Sequence, residues 1–401
     1  MLRLSGRSRF AGNVIEEEDT FAAELSHSGR KMIKLNRGDP VAYFPTPKYI
    51  IDAYVRALKL GRTGYSFHAG IPELREAISH RHKRLYGLDA DMEDVIVTQG
   101  VSEAIMFLNS MLIGRGDSAV LFRPYYPLYF SGLHMYDGKP IFADYHDDGM
   151  GIDTDLLRRR IGKKRVKYMI FSNPCNPTGS VMGSKELKEI VNVANDHGIF
   201  IISDEIYDEI TYNGAKFTSI SEVSEGVPKA IFGGASKCFD ATGFRIGYAL
   251  VPEGDALSSS IKEKLADYAK MRLSSGTPAQ YAFAEAINDV AGHKEALKAM
   301  VEEIADRTNF AYDLLKDSDH LRLRLRPKGA FYLLPEIDAG KTDFKDNRDR
   351  VRTLMAEEGV QITRGEGFGS PGKIRIVSLP TKGILELAIR KIDKFLDRHS
   401  R

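Results

Sequence analysis

Lys237, followed eight residues later by Arg245, is the pair best placed in this chain to do chemistry. Both stand in the stretch Phe232-Gly-Gly-Ala-Ser-Lys-Cys-Phe-Asp-Ala-Thr-Gly-Phe-Arg-Ile-Gly-Tyr248. The apolar run Ala230 to Phe232 reads as the end of a buried strand, and the small residues Gly233 to Ser236 hold the lysine against a close-packed wall. An ammonium there is poorly solvated, which lowers its pKa. The neutral amine then attacks a carbonyl to give a Schiff base. A Thr-Gly turn at 242–243 folds Arg245 back towards the lysine. An amine nucleophile beside a guanidinium suits a carbonyl compound that also carries a phosphate. An isolated Ser-Lys pair reads more simply as a surface loop, so the rest of the chain has to decide.

Two further stretches sit at strand ends. Asn173-Pro-Cys-Asn-Pro-Thr-Gly179 follows an expected strand Val166 to Ser172, and Asp204-Glu-Ile-Tyr207 follows Ile199 to Ser203. Open α/β sheets bind ligands at the carboxyl ends of their strands. Taken singly, the first reads as a turn and the second as a helix start. Val95 to Thr98 reads as a strand, Gln99-Gly-Val-Ser102 as a turn and Glu103 to Ile113 as a helix. Such a turn can be an anion site, because free N–H groups and the helix dipole converge on it, but taken alone it reads more simply as a strand-to-helix connection. In Ile33-Lys-Leu-Asn-Arg-Gly-Asp-Pro40, Gly38 lets backbone approach a ligand closely. Gly64-Tyr-Ser-Phe-His-Ala-Gly-Ile-Pro-Glu-Leu-Arg75 is a loop entering a helix, with Pro72 at its first turn.

The elements that must position these residues alternate. Short apolar runs at Ala119–Phe122, Val166–Ser172, Ile199–Ser203 and Ala230–Phe232 are spaced by helices such as Lys185–His197. This implies a mostly parallel sheet covered on both faces. Helices follow at Asp255–Met271, Ala279–Val290 and His293–Leu315, then an α+β tail with strands at Phe331–Leu334 and Lys373–Val377. Helices Arg348–Glu358 and Gly383–Arg398 belong to that tail, and the N-terminal region shows helical character over Phe21–Leu25. The expected division is a large α/β domain over residues 45–290 and a small domain built from 1–44 and 291–401.

The 401 residues carry a net charge of +2, which gives no reason to expect nucleic acid or an anionic membrane as partner. The basic cluster Arg158–Arg165 reads as a solvated helix end, and the alternating Leu321–Arg326 as a strand with one wet face. No apolar run is long enough to span a bilayer, and Met1 to Arg9 lacks the apolar core of a signal peptide. Two cysteines, Cys175 and Cys238, suggest a reducing compartment, so the expected location is cytoplasmic. Both read as small buried residues rather than nucleophiles. No His/Cys/Asp cluster stands at metal spacing. Gly365-Glu-Gly-Phe-Gly369 is a poor dinucleotide fingerprint, since it does not open a helix after a strand.

Together and in this order, Asn-Pro-x-Asn-Pro-Thr-Gly, Asp-x-x-Tyr and Ser-Lys-x-Phe-x-x-x-Gly-x-Arg-x-Gly-Tyr resemble the fold-type I pyridoxal phosphate (PLP) enzymes, specifically the class I/II aminotransferases. The resemblance runs from about Lys34 to the C-terminus. It implies a large domain with a mostly parallel seven-stranded sheet between helices, a small α+β domain, and a homodimer with shared active sites. By the resemblance Lys237 holds PLP and then moves the substrate proton, and Asp204 faces the pyridine nitrogen. At ~4 Å and an effective dielectric near 20 such a pair is worth about 4 kcal/mol. That is enough to keep the nitrogen protonated and the ring an electron sink. Asn176 and Tyr207 are implied to bond the phenolic oxygen, and Tyr126 to stack on the ring. Val101, Ser102 and Arg245 are implied to hold the phosphate, with Tyr65 reaching it from the neighbouring subunit, and Gly100 and Ser236 are implied to be cofactor-binding. Arg375 is implied to grip the substrate α-carboxylate in a fork, with Gly38 and Asn176 also lining the substrate pocket. One departure is Gly234, where many relatives have a phosphate-binding serine.

A PLP-binding regulatory module is the rival from another class; few residues precede Lys34 and every catalytic position is filled, so an enzyme is expected. Leu35–Pro40, Gly100–Glu103 with Tyr126–Leu128, and Met271–Gln280 look closest to the alanine (glutamate–pyruvate) branch. The expected pair is alanine/pyruvate with glutamate/2-oxoglutarate. The alternatives are an aspartate or aromatic amino acid aminotransferase, or a same-fold PLP lyase or synthase. A distal carboxylate needs a cation of its own. Relatives of the alanine branch have a Tyr-Asp-Ile-Arg-Gly-like stretch near the N-terminus, where this chain reads Gly12-Asn-Val-Ile15 without arginine. Arg37, Arg272 and Arg9 are the candidate substitutes.

Overall fold

The computed structural model describes residues 14–146, 151–338 and 344–400. Helix α1 (Val14–His27) leads into the short strand β1 (Ile33–Lys34). The helix is longer than the apolar pattern suggests, because Glu16 and Glu17 sit in its first turn. Carboxylates there face free N–H groups and the positive end of the dipole. Helices α2 (Lys48–Lys59) and α3 (Pro72–Tyr86) follow. Pro72 opens α3, and Gly87 closes it in the left-handed region at φ 68.

The large sheet contains β2 (Val95–Thr98), β3 (Ser118–Arg123), β4 (Lys139–Asp144), β5 (Val166–Ser172), β6 (Phe200–Asp204), β7 (Lys229–Gly234) and β8 (Gly247–Leu250). Its seven strands lie in the order β2-β8-β7-β6-β5-β3-β4. β8 runs antiparallel to both neighbours, and the β4-β3-β5-β6-β7 run is parallel. Helices α4 (Gly100–Leu112), α5 (Pro127–Met135), α6 (Thr154–Ile161) and α7 (Ser184–His197) connect strands along the way. The period of two along a strand divides its side chains between two cores. Met169, Phe171, Ile201 and Ile231 pack on one face, while Tyr168, Ile170, Phe200, Ile202, Ala230 and Phe232 pack on the other. Both faces are buried, which is why these strands read as continuous apolar runs.

Helices α8 (Ala256–Arg272), α9 (Thr277–Asn288) and α10 (Val290–Lys316) come next. After them the chain forms β9 (Leu321–Arg322), β10 (Tyr332–Leu333), β11 (Glu336–Ile337), α11 (Asn347–Glu358), β12 (Val360–Gln361), β13 (Thr363–Arg364), β14 (Ile374–Val377) and α12 (Lys382–Arg398). The alternating Leu321–Arg326 segment pairs over only two residues, with β11. A third core gathers Ala22 and Leu35 with Leu315, Leu333, Leu354, Val360, Ile389 and Phe395. β1 pairs with β12, which ties the N-terminal region to this core. Strand β14 lies between β10 and β13, and it carries Arg375.

Candidate active site

The carboxyl ends of β5, β6 and β7 meet at one edge of the sheet. Ser172 pairs with Asp204, and Asp204 with Phe232, so the segments after these residues leave the sheet side by side. A cavity of about 450 Å³ opens there. Asn176, Asp204, Tyr207, Ser236, Lys237 and Arg245 face it. So do Gly38, Val101, Ser102, Tyr126 and Arg375, from four other places in the chain.

Lys237 leaves β7 through a wall with no spare room. A Cβ on Gly233 would lie 2.2 Å from the Tyr248 hydroxyl, and one on Gly234 would lie 2.7 Å from the Ile246 carbonyl oxygen. The glycine at 234 is therefore a steric requirement here, since a serine would push into backbone. Lys237 Nζ donates to the Gly38 carbonyl at 2.6 Å. Burial brings its pKa down to about 8, against the pull of Asp39 and with the help of Arg375 and Arg245. Gly38 itself has no space for a side chain, because its Cβ would overlap the Tyr332 hydroxyl at 2.1 Å.

Asp204 ends β6, 4% exposed. Its Oδ2 accepts from the Tyr129 hydroxyl at 2.6 Å and its Oδ1 from the Ile206 N–H at 3.3 Å. Burial pushes its pKa up to about 6, against the pull of the Tyr129 and Ile206 hydrogen bonds and the Lys237 charge. Tyr207 and Tyr332 share a hydroxyl–hydroxyl hydrogen bond of 2.7 Å. Tyr129 and Tyr332 escaped the sequence reading. Tyr129 had a signal in its spacing, three residues after Tyr126 on a helix opened by Pro127. Tyr332 comes from β10 and had none.

Helix α4 begins at Gly100, the second residue of the expected turn, so Val101 and Ser102 lie in its first turn. Arg245 stands in the left-handed region at φ 54 and donates from Nη1 to the Thr242 carbonyl at 3.1 Å. Its guanidinium passes over Gly100, where a Cβ would come within 2.5 Å of Nη2. A helix N-terminus, a hydroxyl and a guanidinium thus converge on one corner of the cavity.

Arg375 is 1% exposed. Its Nη1 donates to Asn176 Oδ1 at 3.0 Å, its Nη2 bonds the Asn36 carbonyl, and its Nε has no partner. The guanidinium lies 4.8 Å from the Tyr332 ring centre and 4.6 Å from that of Phe368. Among the described residues no carboxylate pairs with it.

Tyr65 is 84% exposed and is not brought to this chain's own cavity. Of the candidate cations for a distal carboxylate, Arg37 lines the cavity. Arg272 does not; it pairs with Glu103 at 3.2 Å and donates to the Val97 carbonyl at 3.0 Å. Arg9 lies outside the described residues, as do Gly12 and Asn13. The expectation of no metal-spaced cluster meets one exception, Asp208, Glu209 and Cys238, whose ligand atoms all lie within 4.8 Å of one another. Buried Arg81 donates to Asp208 at 2.6 Å and Glu209 at 2.5 Å, so a guanidinium already neutralises the group. Cys175 and Cys238 are free and buried, and burial raises both thiols.

Residues 30–392 match the family model for aminotransferase class I and II. The chain belongs to this family. It is a PLP-dependent aminotransferase of fold type I, as the seven-stranded sheet also indicates. It is 34% identical over 385 residues to an aspartate aminotransferase of Bacillus subtilis, covering 94% of this chain and 95% of the relative. It is 31% identical over 393 residues to a glutamate–pyruvate aminotransferase of Escherichia coli, covering 96% and 94%. The structure of an alanine aminotransferase from Pyrococcus furiosus superposes with a TM-score of 0.93 at 34% identity, covering 99% of this chain and all of that one. The cavity fits the cofactor. A buried carboxylate, a lysine of lowered pKa and a corner formed by a helix N-terminus and Arg245 are complementary to a pyridinium, an aldehyde and a phosphate.

Proposed function

We propose that this aminotransferase exchanges the amino group between alanine/pyruvate and glutamate/2-oxoglutarate, in a homodimer in the cytoplasm. The observation that carries an amino-acid substrate is Arg375. A buried guanidinium with an unpartnered Nε and no acid beside it is costly unless a ligand supplies the anion. An α-carboxylate does so, held by the fork between the Tyr332 and Phe368 rings.

On this reading the other cavity residues have the following roles. Lys237 Nζ is the amine that attaches the cofactor and, once released by substrate, carries a proton to and from the substrate Cα. Bound PLP supplies a sink for the electrons left on that carbon. Asp204 holds the proton on the ring nitrogen, and Tyr129 keeps the carboxylate oriented. Tyr207 and Asn176 would donate to the ring oxygen, and Tyr126 would cover the ring. Val101, Ser102 and Arg245 would bind the phosphate, with Gly100 and Ser236 beside the cofactor. Gly38 presents a carbonyl to Lys237 and leaves room for substrate.

Alanine as substrate is supported by the two relatives named for it and by Ile15, which offers a methyl group an apolar wall at the cavity mouth. Aspartate is the second reading, supported by relatives of 34% and 33% identity named for that substrate. The dimer is supported by Tyr65, which is exposed together with Phe67, Met271 and Leu273. The two segments carrying these residues meet where the Thr277 hydroxyl donates to the Gly64 carbonyl at 2.6 Å. Free cysteines support the reducing compartment. A panel of amino donors, each with pyruvate and with 2-oxoglutarate, tests the substrate reading. The proposal expects alanine and glutamate to lead. Aspartate or tyrosine more than tenfold above alanine in kcat/KM would overturn the pair and leave the aminotransferase standing.

A further inference from the structure

The mouth of the cavity holds a charge arrangement that the reaction on the α-carbon does not use. Arg37 directly precedes Gly38, whose carbonyl receives Lys237 Nζ, so its side chain starts one residue from the reacting amine. Helix α1 brings Ile15 and Glu16 to the same wall. Arg37 Nη2 lies 3.2 Å from both Glu16 oxygens. Its Nε donates to Asp19 Oδ2 at 3.1 Å, and Nη2 bonds the same oxygen.

The two acids are held differently. Asp19 is anchored, since its other oxygen accepts from Asn36 Nδ2 at 2.7 Å and from Gln361 Nε2 at 2.8 Å. Its side chain is 27% exposed, whereas those of Glu16 and Arg37 are 61% and 55% exposed. Asp39, the third acid near Arg37, accepts from the Thr242 hydroxyl at 2.8 Å. Glu16 is thus the more exposed of the two acids on the guanidinium and, unlike Asp19, lines the cavity.

We infer that Arg37 binds the distal carboxylate of a dicarboxylic substrate by exchanging it for Glu16, which occupies that edge when a short substrate is bound. This rests on the glutamate/2-oxoglutarate half of the proposed function. Asp19 stays in place and keeps the guanidinium aimed. One carboxylate replaces another at Nη2, and the displaced Glu16 is received by water. No charge is left buried and unpaired, which is the usual obstacle to admitting both a methyl and a carboxylate to one pocket. An exposed ion pair holds weakly, so the exchange is easily driven. The chain thereby dispenses with an arginine at the Ile15 end of α1, since the cation arrives from the Gly38 side of the same wall.

The test compares half-reactions of the holoenzyme with glutamate and with alanine in wild type, Arg37→Gln, Arg37→Lys and Glu16→Gln. Arg37→Gln is expected to lower kcat/KM for glutamate at least tenfold more than for alanine, through KM, and Arg37→Lys to recover part of the difference. Glu16→Gln, a change at an exposed position, is expected to shift the glutamate-to-alanine ratio more than threefold upward. A ratio that moves less than threefold in both Arg37→Gln and Glu16→Gln overturns the exchange, as does a ratio that falls in Glu16→Gln. A wild-type enzyme that turns over alanine but neither glutamate nor 2-oxoglutarate breaks the substrate reading itself, a different result from an unmoved ratio.

Discussion

Arg375 on the floor of the cavity and Arg37 at its mouth are two guanidiniums held in opposite ways. Arg375 is 1% exposed, lies near two aromatic rings and pairs with no acid among the described residues. The Arg37 side chain is 55% exposed and shared by Glu16 and Asp19. The floor thus stores an electrostatic demand that the carboxylate of an amino or 2-oxo acid would satisfy. The mouth is already neutralised, so a substrate there gains only the difference between its own carboxylate and Glu16. Binding common to all substrates belongs at the first place, and discrimination between them at the second.

The largest effect expected from breaking the floor is Arg375→Gln. Losing a buried charged partner costs about 2–5 kcal/mol, so kcat/KM should fall roughly 30-fold or more for every amino acid. A loss confined to dicarboxylic substrates would show that the two arginines had been assigned the wrong way round. Arg37→Gln at the mouth, by contrast, should separate glutamate from alanine as described above.

A second test of the floor is pH dependence. Burial raises Asp204 to about 6 from an ordinary 3.8, so as pH falls through 6 the free enzyme takes up a proton there. A ring cation favours the carboxylate, and that proton must leave when the cofactor binds. PLP affinity should therefore fall by about tenfold per pH unit between roughly pH 6 and 5 in excess of the fall in Asp204→Asn. Parallel profiles for the two proteins would remove Asp204 from the ring nitrogen.

The smallest effect concerns neither arginine but the close-packed end of β7. Gly234→Ala places a Cβ 2.7 Å from the Ile246 carbonyl oxygen and 2.8 Å from Gly247 Cα. Overpacking of this kind costs about 1–3 kcal/mol. Thermal unfolding should show a Tm lowered by several degrees with the cofactor spectrum retained, and an unchanged Tm would mean that the backbone yields.

The floor was legible in the sequence and the mouth largely was not. Asn176, Asp204, Tyr207 and Lys237 follow buried strands that declare themselves as apolar runs, so the motif and its position in the sheet are read together. Tyr332 meets Tyr207 across 125 residues of chain, a pairing that no local pattern carries. Glu16 sits in an acidic run that reads as a solvated arm, and only the docking of α1 brings it to Arg37. Strand β4 went unread because Pro140 interrupts its pattern; it is an edge strand, where a missing N–H is tolerated. Arg81 and Glu209 look like surface charges at their helix and loop, yet they pair where Arg81 is 4% exposed.

The central claim is that Lys237, its pKa brought down to about 8 by burial, is the amine that carries the cofactor. Borohydride reduction of the purified holoenzyme, followed by peptide mapping, tests it most directly. The account predicts a phosphopyridoxyl group fixed on Lys237, and neither the adduct nor turnover in Lys237→Ala. A reduced adduct on another lysine, or sustained transamination by the variant, would contradict it.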